Sequence, residues 1–249
     1  MTDVLEIVDL HVNAEDKKVV NGVSLRLETG KTYALMGPNG SGKSSLAHAL
    51  MGHPRYKITR GKILLNGEDI TYLPVHERAR RGLFLSFQYP VEINGVTVAN
   101  FLRTAFNSLH EKKLSVVDFH TLLKEKMRAL HMESSFSKRY LNEGFSGGEK
   151  KKTEVLQMSV LEPKFAILDE TDSGTDVDAL KIIAQGVNAM KNGKRCFLVI
   201  THYHRMLEYV IPDEVYVMHD GKIIKQGGKE LALQIDKQGY DFIPQRVTA

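Results

Sequence analysis

The sequence predicts an α/β fold built on a parallel sheet, with a helical lobe inserted into it. Three runs are apolar at every position, at residues 33–36, 165–168 and 196–200, as in strands that helices cover on both faces. Helical patterns follow these runs, which is the order of strand and helix in an α/β domain. From residue 91 to 145 the apolar spacing changes to three and four residues, which favours helices alone.

The remaining strands are predicted from alternation and from turn residues. Residues 5–12 and 23–27 alternate apolar and polar side chains, as half-buried strands do. Asn66-Gly67 and Asp220-Gly221 are each a two-residue hairpin signal, because these residue types tolerate a positive φ. We therefore expect one hairpin in each half of the chain.

Helices are predicted where apolar residues recur at helical spacing before a stop signal. In the α/β core they span residues 43–51, 149–161 and 176–190, and they are ended by Gly52, Pro163 and Gly193. In the inserted segment the pattern covers residues 98–109 and 119–130. We expect this segment to form an all-helical lobe.

Composition narrows the class of protein. The chain has 249 residues, of which 42% are hydrophobic and 26% charged, and this usage is typical of globular proteins and not of disordered or fibrous ones. Its apolar runs fall far short of the about 18 residues that a membrane span needs. The 34 basic and 30 acidic side chains are interspersed, so the net charge of +4 predicts a solvated mixed surface and no nucleic-acid partner.

Cysteine content and the N-terminus predict the compartment. Cys196 is the sole cysteine of the sequence, so no intramolecular disulfide can form, which favours a reducing compartment. Residues 1–4 lack the basic region and apolar core of a secretory signal. We expect a cytoplasmic protein with no direct membrane span.

The most specific motif follows the first apolar run and fits G-x-x-x-x-G-K-[ST]. Its glycines let backbone N–H groups turn towards phosphate oxygens, and the helix that it opens adds partial positive charge. In this pattern Lys43 would reach the β and γ phosphates, and Ser44 would hold Mg²⁺. The predicted nucleotide-binding residues here are Gly37, Pro38, Asn39, Gly40, Ser41, Gly42, Lys43, Ser44 and the adjacent Ser45.

Polar residues also follow the other two apolar runs. Asp169 and Glu170 end the second run, where Asp169 suits Mg²⁺ and Glu170 suits the attacking water. Thr201 and His202 follow the third run, and a neutral imidazole there can donate to the γ-phosphate. Because open α/β sheets bind ligands at the carboxyl ends of their strands, we expect these groups to meet.

A second helix N-terminus that suits phosphate binding lies more than one hundred residues after the first. Ser146-Gly147-Gly148 precedes the helix predicted from Glu149 and offers a free hydroxyl beside a helix N-terminus. One chain needs one such cradle per nucleotide. The second therefore suggests contact with a nucleotide held by another subunit.

In order and spacing, these residues resemble the ABC-type ATPases. Residues 37–44, Gln88, 145–149, 165–170, 173–176 and His202 correspond to the Walker A, Q-loop, signature, Walker B, D-loop and switch histidine of that family. The resemblance implies an ABC-ATPase nucleotide-binding domain: a RecA-like parallel sheet core, an N-terminal antiparallel β subdomain and an α-helical subdomain. It places the core at residues 1–90 and 163–249, and the helical subdomain with its signature motif at residues 91–162.

The resemblance also implies an activity. It predicts a Mg²⁺-dependent ATPase in which Lys43, Glu170 and His202 are catalytic, while Ser44, Gln88 and Asp169 serve the metal. ATP would be sandwiched in a transient head-to-tail dimer, bound by one chain's Walker A loop and by the partner's signature segment. The signature residues that would bind it are Ser146, Gly147, Gly148 and Glu149, with Gln88 near the γ-phosphate.

Within this superfamily the chain resembles the SufC family, the soluble ABC ATPases of SUF iron-sulfur cluster assembly. The resemblance lies in residues 87–93, 144–151, 161–163 and 201–203, among others. It implies SufB- and SufD-like scaffold partners in place of a membrane channel, contacted through residues 88–96 and the helical lobe.

Four positions depart from the usual ABC pattern. Phe145 and Glu149 stand where transporters have Leu and Gln, which agrees with SufC. Thr175 replaces the usual D-loop Leu. Ala14 lies where an aromatic side chain stacks on adenine in many ABC ATPases, so the preference for ATP over GTP rests on analogy.

Other interpretations use the same residues. Five carboxylates between residues 169 and 178 suggest a calcium loop, but their spacing does not fit one. His202, His204 and His219 suggest zinc, but no cysteine accompanies them. An ATP-binding subunit of a membrane transporter would share every catalytic residue. A non-hydrolysing nucleotide-binding regulator would be expected to lack Glu170.

Overall fold

The computed structural model describes residues 2–88, 90–173, 176–202 and 205–240. The strands are β1 Val4–Ala14, β2 Lys17–Glu28, β3 Thr32–Met36, β4 Tyr56–Leu65, β5 Glu68–Asp69, β6 Leu83–Ser86, β7 Ile93–Thr97, β8 Tyr140–Leu141, β9 Phe165–Asp169, β10 Cys196–Ile200, β11 Glu214–His219 and β12 Lys222–Gly227. The α-helices are α1 Lys43–Met51, α2 Val75–Arg80, α3 Val98–Leu109, α4 Val116–Ala129, α5 Gly147–Leu161, α6 Val177–Ala189, α7 Arg205–Tyr209 and α8 Lys229–Gln238.

The main sheet has six strands in the order β12-β11-β3-β10-β9-β6. All neighbours pair in parallel except the antiparallel β11–β12 edge. The three apolar runs become the adjacent strands β3, β10 and β9, and every residue of these strands is buried. The predicted parallel sheet and its three central strands are therefore confirmed.

The two faces of this sheet are covered differently. Alternate residues of each central strand enter separate cores, as Val199 and Leu198 do on β10. Helices α3 to α6 and α8 contribute to the first core, while the second joins α1 to the strands β1, β2 and β4. The expectation of helices on both faces is thus incomplete for the second face, which α1 shares with the strands β1, β2 and β4. The reason is that β1, β2 and β4 present one alternating apolar face, which a second layer must cover.

The second layer is an antiparallel sheet in the order β2-β1-β4-β5. The predicted hairpin at Asn66-Gly67 connects β4 to β5, and these two residues have φ values of 53° and 83°. The hairpin at Asp220-Gly221 connects β11 to β12 and extends the main sheet.

The inserted lobe contains more than helices. Strands β7 and β8 pair antiparallel before α3 and α5, and the N–H of Val98 donates to the Arg139 carbonyl at 3.0 Å. The all-helical expectation is therefore wrong for residues 93–97. The β-branched Ile93, Val96 and Thr97 fit a strand, and the pairing joins the two ends of the lobe.

A buried arginine ties α2 to the end of α1. Arg78 is 2% exposed, and its guanidinium donates to the carbonyls of Ala49 at 2.8 Å and Leu50 at 2.6 Å in the last turn of α1. The guanidinium also donates to the backbone carbonyls of Thr71 and Leu73. Burial lowers the pKa of Arg78 to about 10, so the side chain stays charged at neutral pH. Its positive charge interacts favourably with the partial negative charge at the C-terminal end of α1.

Among the described residues, no helix is long and apolar enough to span a bilayer.

The helices α5 and α6 approach each other closely at Gly186. A β-carbon there would lie 2.6 Å from Val155 Cγ1 and 2.9 Å from Leu130 Cδ2. This contact lets α5, which starts at residue 147, pack against the helix that follows β9.

We expect Gly186→Ala to lower the free energy of unfolding by about 1–3 kcal/mol, because the overpacked contact outweighs the helix propensity gained. Urea denaturation measures this. Adding Val155→Ala should make the two changes non-additive, because the removed methyl groups vacate the space that the new β-carbon needs. A Gly186→Ala protein as stable as the unmodified chain would contradict the close approach.

Candidate functional site

The loop between β3 and α1 is held by a close backbone approach. Gly42 has a φ of 105°, and a β-carbon there would lie 2.4 Å from the Val19 carbonyl oxygen. The N–H of Gly221 donates to the Ser41 carbonyl at 2.9 Å, so the β11–β12 turn braces the loop. The Ser41 hydroxyl oxygen is buried and has no hydrogen-bond partner among the described residues. The close approach at Gly42 and the hydrogen bond from Gly221 hold this loop in one shape.

Lys43 places a buried cation at the start of α1. It is 4% exposed, and its ammonium donates to the carbonyls of Gly37 at 2.8 Å and Pro38 at 3.0 Å. Burial lowers the pKa of Lys43, while the charges of Glu170 and Asp169 oppose that shift. A buried ammonium beside a helix N-terminus suits an anion such as a phosphate.

Ser44 and Asp169 meet across the sheet edge. The Ser44 hydroxyl donates to Asp169 Oδ1 at 3.1 Å. Asp169 is 1% exposed, and burial raises its pKa to about 6, while the Ser44 hydrogen bond opposes the shift. A hydroxyl and a carboxylate oxygen are hard donors that fit Mg²⁺ alongside phosphate oxygens. The predicted metal residues Ser44 and Asp169 are therefore brought together.

Glu170 is held in a left-handed backbone conformation with a φ of 47°. Its N–H donates to the Ile200 carbonyl at 2.9 Å, which fixes it to the end of β10. The Gln88 amide donates to Glu170 Oε2, and His202 Nδ1 lies 3.3 Å from Glu170 Oε1. Seven other described non-glycine residues share a positive φ, so this conformation alone assigns no function. The side chains of Gln88, Glu170 and His202 lie together at this edge of the sheet.

Lys43, Ser44, Gln88, Glu170 and His202 face one cavity of about 780 Å³, a size typical of small-molecule sites, while the predicted Asp169 does not line it. The lining residues are Lys17, Lys18, Val19, Asn21, Asn39, Gly40, Gly42, Lys43, Ser44, Ser45, Gln88, Glu170, Ser173, His202, Asp220 and Gly221. Of the predicted loop residues, Gly37, Pro38 and Ser41 do not line it, and Ala14 does not either.

The sequence did not predict the wall formed by β2 and the β11–β12 turn. The N–H of Asn21 donates to the Gly221 carbonyl at 2.8 Å, and its side-chain amide donates to the Asp220 carbonyl at 2.9 Å. Asp220-Gly221 was recognisable as a turn. The contact of this turn with Asn21, far away in the sequence, depends on the order of the strands in the sheets, which a local sequence pattern does not predict.

The segment from Ser146 to Glu149 lies outside this cavity. Ser146 is exposed and caps α5 through a capping box, in which the Glu149 N–H donates to Ser146 Oγ at 3.2 Å and the Ser146 N–H donates to Glu149 Oε2 at 2.8 Å. The structure therefore does not bring the second predicted cradle to the first within one chain. Gly174 and Thr175 of the predicted D-loop, like Tyr89 beside Gln88, lie outside the described residues.

A buried ion pair that sequence reasoning missed connects α5 to Gln88. Lys151 and Glu154 are each 4% exposed, and their charged atoms are 3.3 Å apart. Lys151 donates to the carbonyls of Phe87 at 2.7 Å and Gln88 at 3.0 Å, while Glu154 accepts from Ser86 Oγ and the Phe87 N–H. Burial raises the pKa of Glu154, and the Lys151 charge opposes this. From the sequence, Lys151 and Glu154 are predicted to lie on a solvated, mixed-charge surface, and their burial was therefore not expected.

A family model and several known proteins match most of this chain. The family model described as ABC transporter matches residues 20–173. A probable ATP-dependent transporter of Synechocystis sp. is 49% identical over 99% of this chain and 98% of that protein. A probable ABC transporter ATP-binding protein of Streptococcus pyogenes is 54% identical over 97% and 95%. Vegetative protein 296 of Bacillus subtilis is 50% identical over 98% and 94%.

Solved structures share the fold. An ABC transporter ATP-binding cassette in its ADP conformation has a TM-score of 0.76 and 26% identity, with 95% of each chain covered. A dimeric bacterial ABC transporter cassette has a TM-score of 0.78 and 17% identity, covering 90% of this chain and 98% of that one. The predicted ABC-ATPase fold is therefore confirmed.

We expect Glu154→Ala to lower the free energy of unfolding by about 3–5 kcal/mol, because it leaves the Lys151 ammonium buried without its carboxylate. The double variant Lys151→Met/Glu154→Leu replaces the pair by apolar groups of similar size and should recover most of this loss. Urea denaturation of the three proteins checks both expectations. Equal stability of the single and double variants would show that the pair does not act as a buried unit.

Proposed function

This chain belongs to the ABC transporter family of ATP-binding proteins, and from that premise we propose that it is the ATP-hydrolysing subunit of a cytoplasmic SufBCD-type iron-sulfur cluster assembly complex. The observation that carries the ATPase assignment is the convergence of Lys43, Ser44, Gln88, Glu170 and His202 on one cavity. The SUF assignment is supported by the sequence resemblance at residues 87–93 and 144–151.

We propose that the triphosphate lies on the loop from Gly37 to Ser45. The N–H groups from Gly40 to Ser44 would bind phosphate oxygens, and the buried Lys43 ammonium would exchange its carbonyl contacts for the β and γ phosphates. The base would lie towards Lys17, Lys18 and Val19 on β2.

The metal assignment rests on the paired oxygens of Ser44 and Asp169. We propose that Ser44 would hold Mg²⁺ together with phosphate oxygens, with Asp169 and Gln88 completing the site directly or through water. When bound, Mg²⁺ neutralises phosphate charge during transfer. The hydroxyl that now bonds Asp169 would be the group that turns towards the metal.

For hydrolysis we propose that Glu170 takes a proton from the attacking water. Gln88 and His202 both contact its carboxylate, so they fix its direction towards the cavity. The His202 imidazole would donate to a γ-phosphate oxygen, on which negative charge must be stabilised. Lys43 supplies the fixed positive charge on the same side.

We further propose a transient ATP-dependent head-to-tail dimer. Ser146, Gly147, Gly148 and Glu149 stand at the start of α5, outside their own chain's cavity. In the dimer the Ser146 hydroxyl and the N–H groups of Gly147 and Gly148 would bind the γ-phosphate of the nucleotide on the other chain, while Glu149 would hold the capping box. Closure on ATP and opening after hydrolysis would move the scaffold.

The proposed scaffold contact lies beside Gln88. Phe87 is 44% exposed, Val91 is 74% exposed and Ile93 is 36% exposed, so apolar side chains project from residues 87–93. A SufB- or SufD-like protein would cover them. The second candidate is the ATP-binding subunit of a membrane transporter, which the names of the Synechocystis and Streptococcus relatives favour.

We expect Glu170→Gln to lower ATP turnover by at least about 100-fold while ATP binding is retained, because the proton acceptor is lost and the amide keeps its shape. Phosphate release and nucleotide titration measure the two properties. The control is Asp178→Asn. The Asp178 side chain is 92% exposed, so this change should leave turnover unaltered. Unaltered turnover in Glu170→Gln would exclude this role for Glu170.

The partner proposal is tested by affinity purification of the tagged chain, without and with detergent. We expect SufB- and SufD-like proteins in the detergent-free fraction, and we expect Val91→Asp to reduce their recovery by placing a charge in the contact. Val8→Asp is the control, because Val8 is 47% exposed on β1. Recovery of a permease from the detergent fraction instead would favour the transporter.

A further inference from the structure

Arg139 is fixed beside the first turn of α5 by several contacts. Its Nη1 donates to Glu149 Oε1 at 2.7 Å, and its Nη2 donates to the Gly144 carbonyl at 3.3 Å. The guanidinium carbon lies 4.9 Å from the centre of the Phe136 ring and 4.3 Å from that of Phe145. Those two rings pack together with centroids 4.5 Å apart.

These contacts restrict the side chain more than an ordinary surface ion pair does. Arg139 and Glu149 are 40% and 37% exposed, and an exposed pair of flexible side chains contributes little on its own. Here the aromatic rings already hold the guanidinium, so little further conformational entropy is lost when it binds the carboxylate. The position of Glu149 is thereby set.

Both carboxylate oxygens of Glu149 are committed. Oε1 accepts from Arg139, and Oε2 accepts from the Ser146 N–H. The Ser146 N–H lowers the pKa of Glu149, with Arg139 adding to the shift and burial opposing it, so the group is charged at neutral pH. A full negative charge therefore stands in the first turn of the helix that is proposed to receive a phosphate.

That charge poses an electrostatic problem. Like charges repel, and the repulsion is stronger near a protein surface than in bulk water. A phosphate approaching the start of α5 would meet the Glu149 carboxylate, which accepts from the Ser146 N–H. The Arg139 guanidinium cancels this charge and draws the carboxylate onto the capping box. The N–H groups of Gly147 and Gly148, which have no acceptor within the helix, then face the phosphate.

We propose that Arg139 is a positioning residue, which neutralises Glu149 and aligns the α5 N-terminus for the nucleotide held by a second copy of this chain. The inference rests on the head-to-tail dimer proposed above. It assigns a task to a residue outside every motif that the sequence singled out. Arg139 itself does not contact the reacting atoms.

The test uses ATP-dependent dimerisation in the Glu170→Gln background, where slow hydrolysis preserves the closed state, measured by sedimentation velocity. We expect Arg139→Met to weaken dimerisation at least about tenfold, which corresponds to a loss of about 1.4 kcal/mol. Binding of a fluorescent ATP analogue to the single chain should change less than twofold. Arg139→Gln removes the charge with a smaller change of shape and should give the same loss.

Rescue separates charge compensation from simple destabilisation. Adding Glu149→Gln to Arg139→Met removes the uncompensated charge, so dimerisation should return to within about threefold of the Glu170→Gln parent. The control is Lys126→Met, which breaks an exposed ion pair of 2.8 Å with Glu162 at the other end of α5 and should change nothing.

The outcomes are distinct. A Glu170→Gln parent that stays monomeric with ATP would overturn the proposed dimer itself. A parent that dimerises, with Arg139→Met and Arg139→Gln equally competent, would overturn the role of Arg139 alone. Loss without rescue by Glu149→Gln would show that Arg139 acts through packing on Phe136 and Phe145 and not through charge.

Discussion

The parallel pairing of β3, β10 and β9 is the constraint on which the site depends. Val199 pairs with Ala34 on one side and with Leu168 on the other, so the three strands end at one level. The polar residues after β9 and β10 therefore lie beside the loop that follows β3, which the β11–β12 turn braces. Because these strands are buried on both faces, a one-residue shift in register would exchange side chains between the two cores and displace the polar residues that follow each strand.

The sequence allowed prediction of what is local and periodic. The apolar runs predicted the three central strands, the two turn signals predicted both hairpins, and the glycine-rich motif placed Lys43 and Ser44. The strands Leu83–Ser86 and Ile93–Thr97 were missed, because each is short and takes its conformation from a partner strand. The apolar runs did not predict that strands help to cover the second face, although the family resemblance implied the antiparallel β subdomain. Which element lies on which face is decided by packing over long sequence separations.

The burial of charged side chains likewise depends mostly on tertiary contacts and not on local sequence. Lys43 and Arg78 are satisfied by backbone carbonyls, and Lys151 is satisfied by Glu154 and two further carbonyls. Burial of an unpaired charge is costly, so each of these partners must be in place when the chain folds. The motif revealed Lys43 alone. Arg78 depends on carbonyls at the end of α1, and Lys151 depends on carbonyls of Phe87 and Gln88, so no pattern around either residue predicts its burial.

The capping box at Ser146 has a consequence for the kinetics of subunit association. Its hydrogen bonds lie within a single chain, so the α5 N-terminus has its final shape before any encounter. A preformed surface loses little entropy when it binds, and its association rate is not limited by a folding step. In the proposed dimer, the lifetime of the closed pair would then depend on the nucleotide between the subunits, so hydrolysis would set the rate of dissociation.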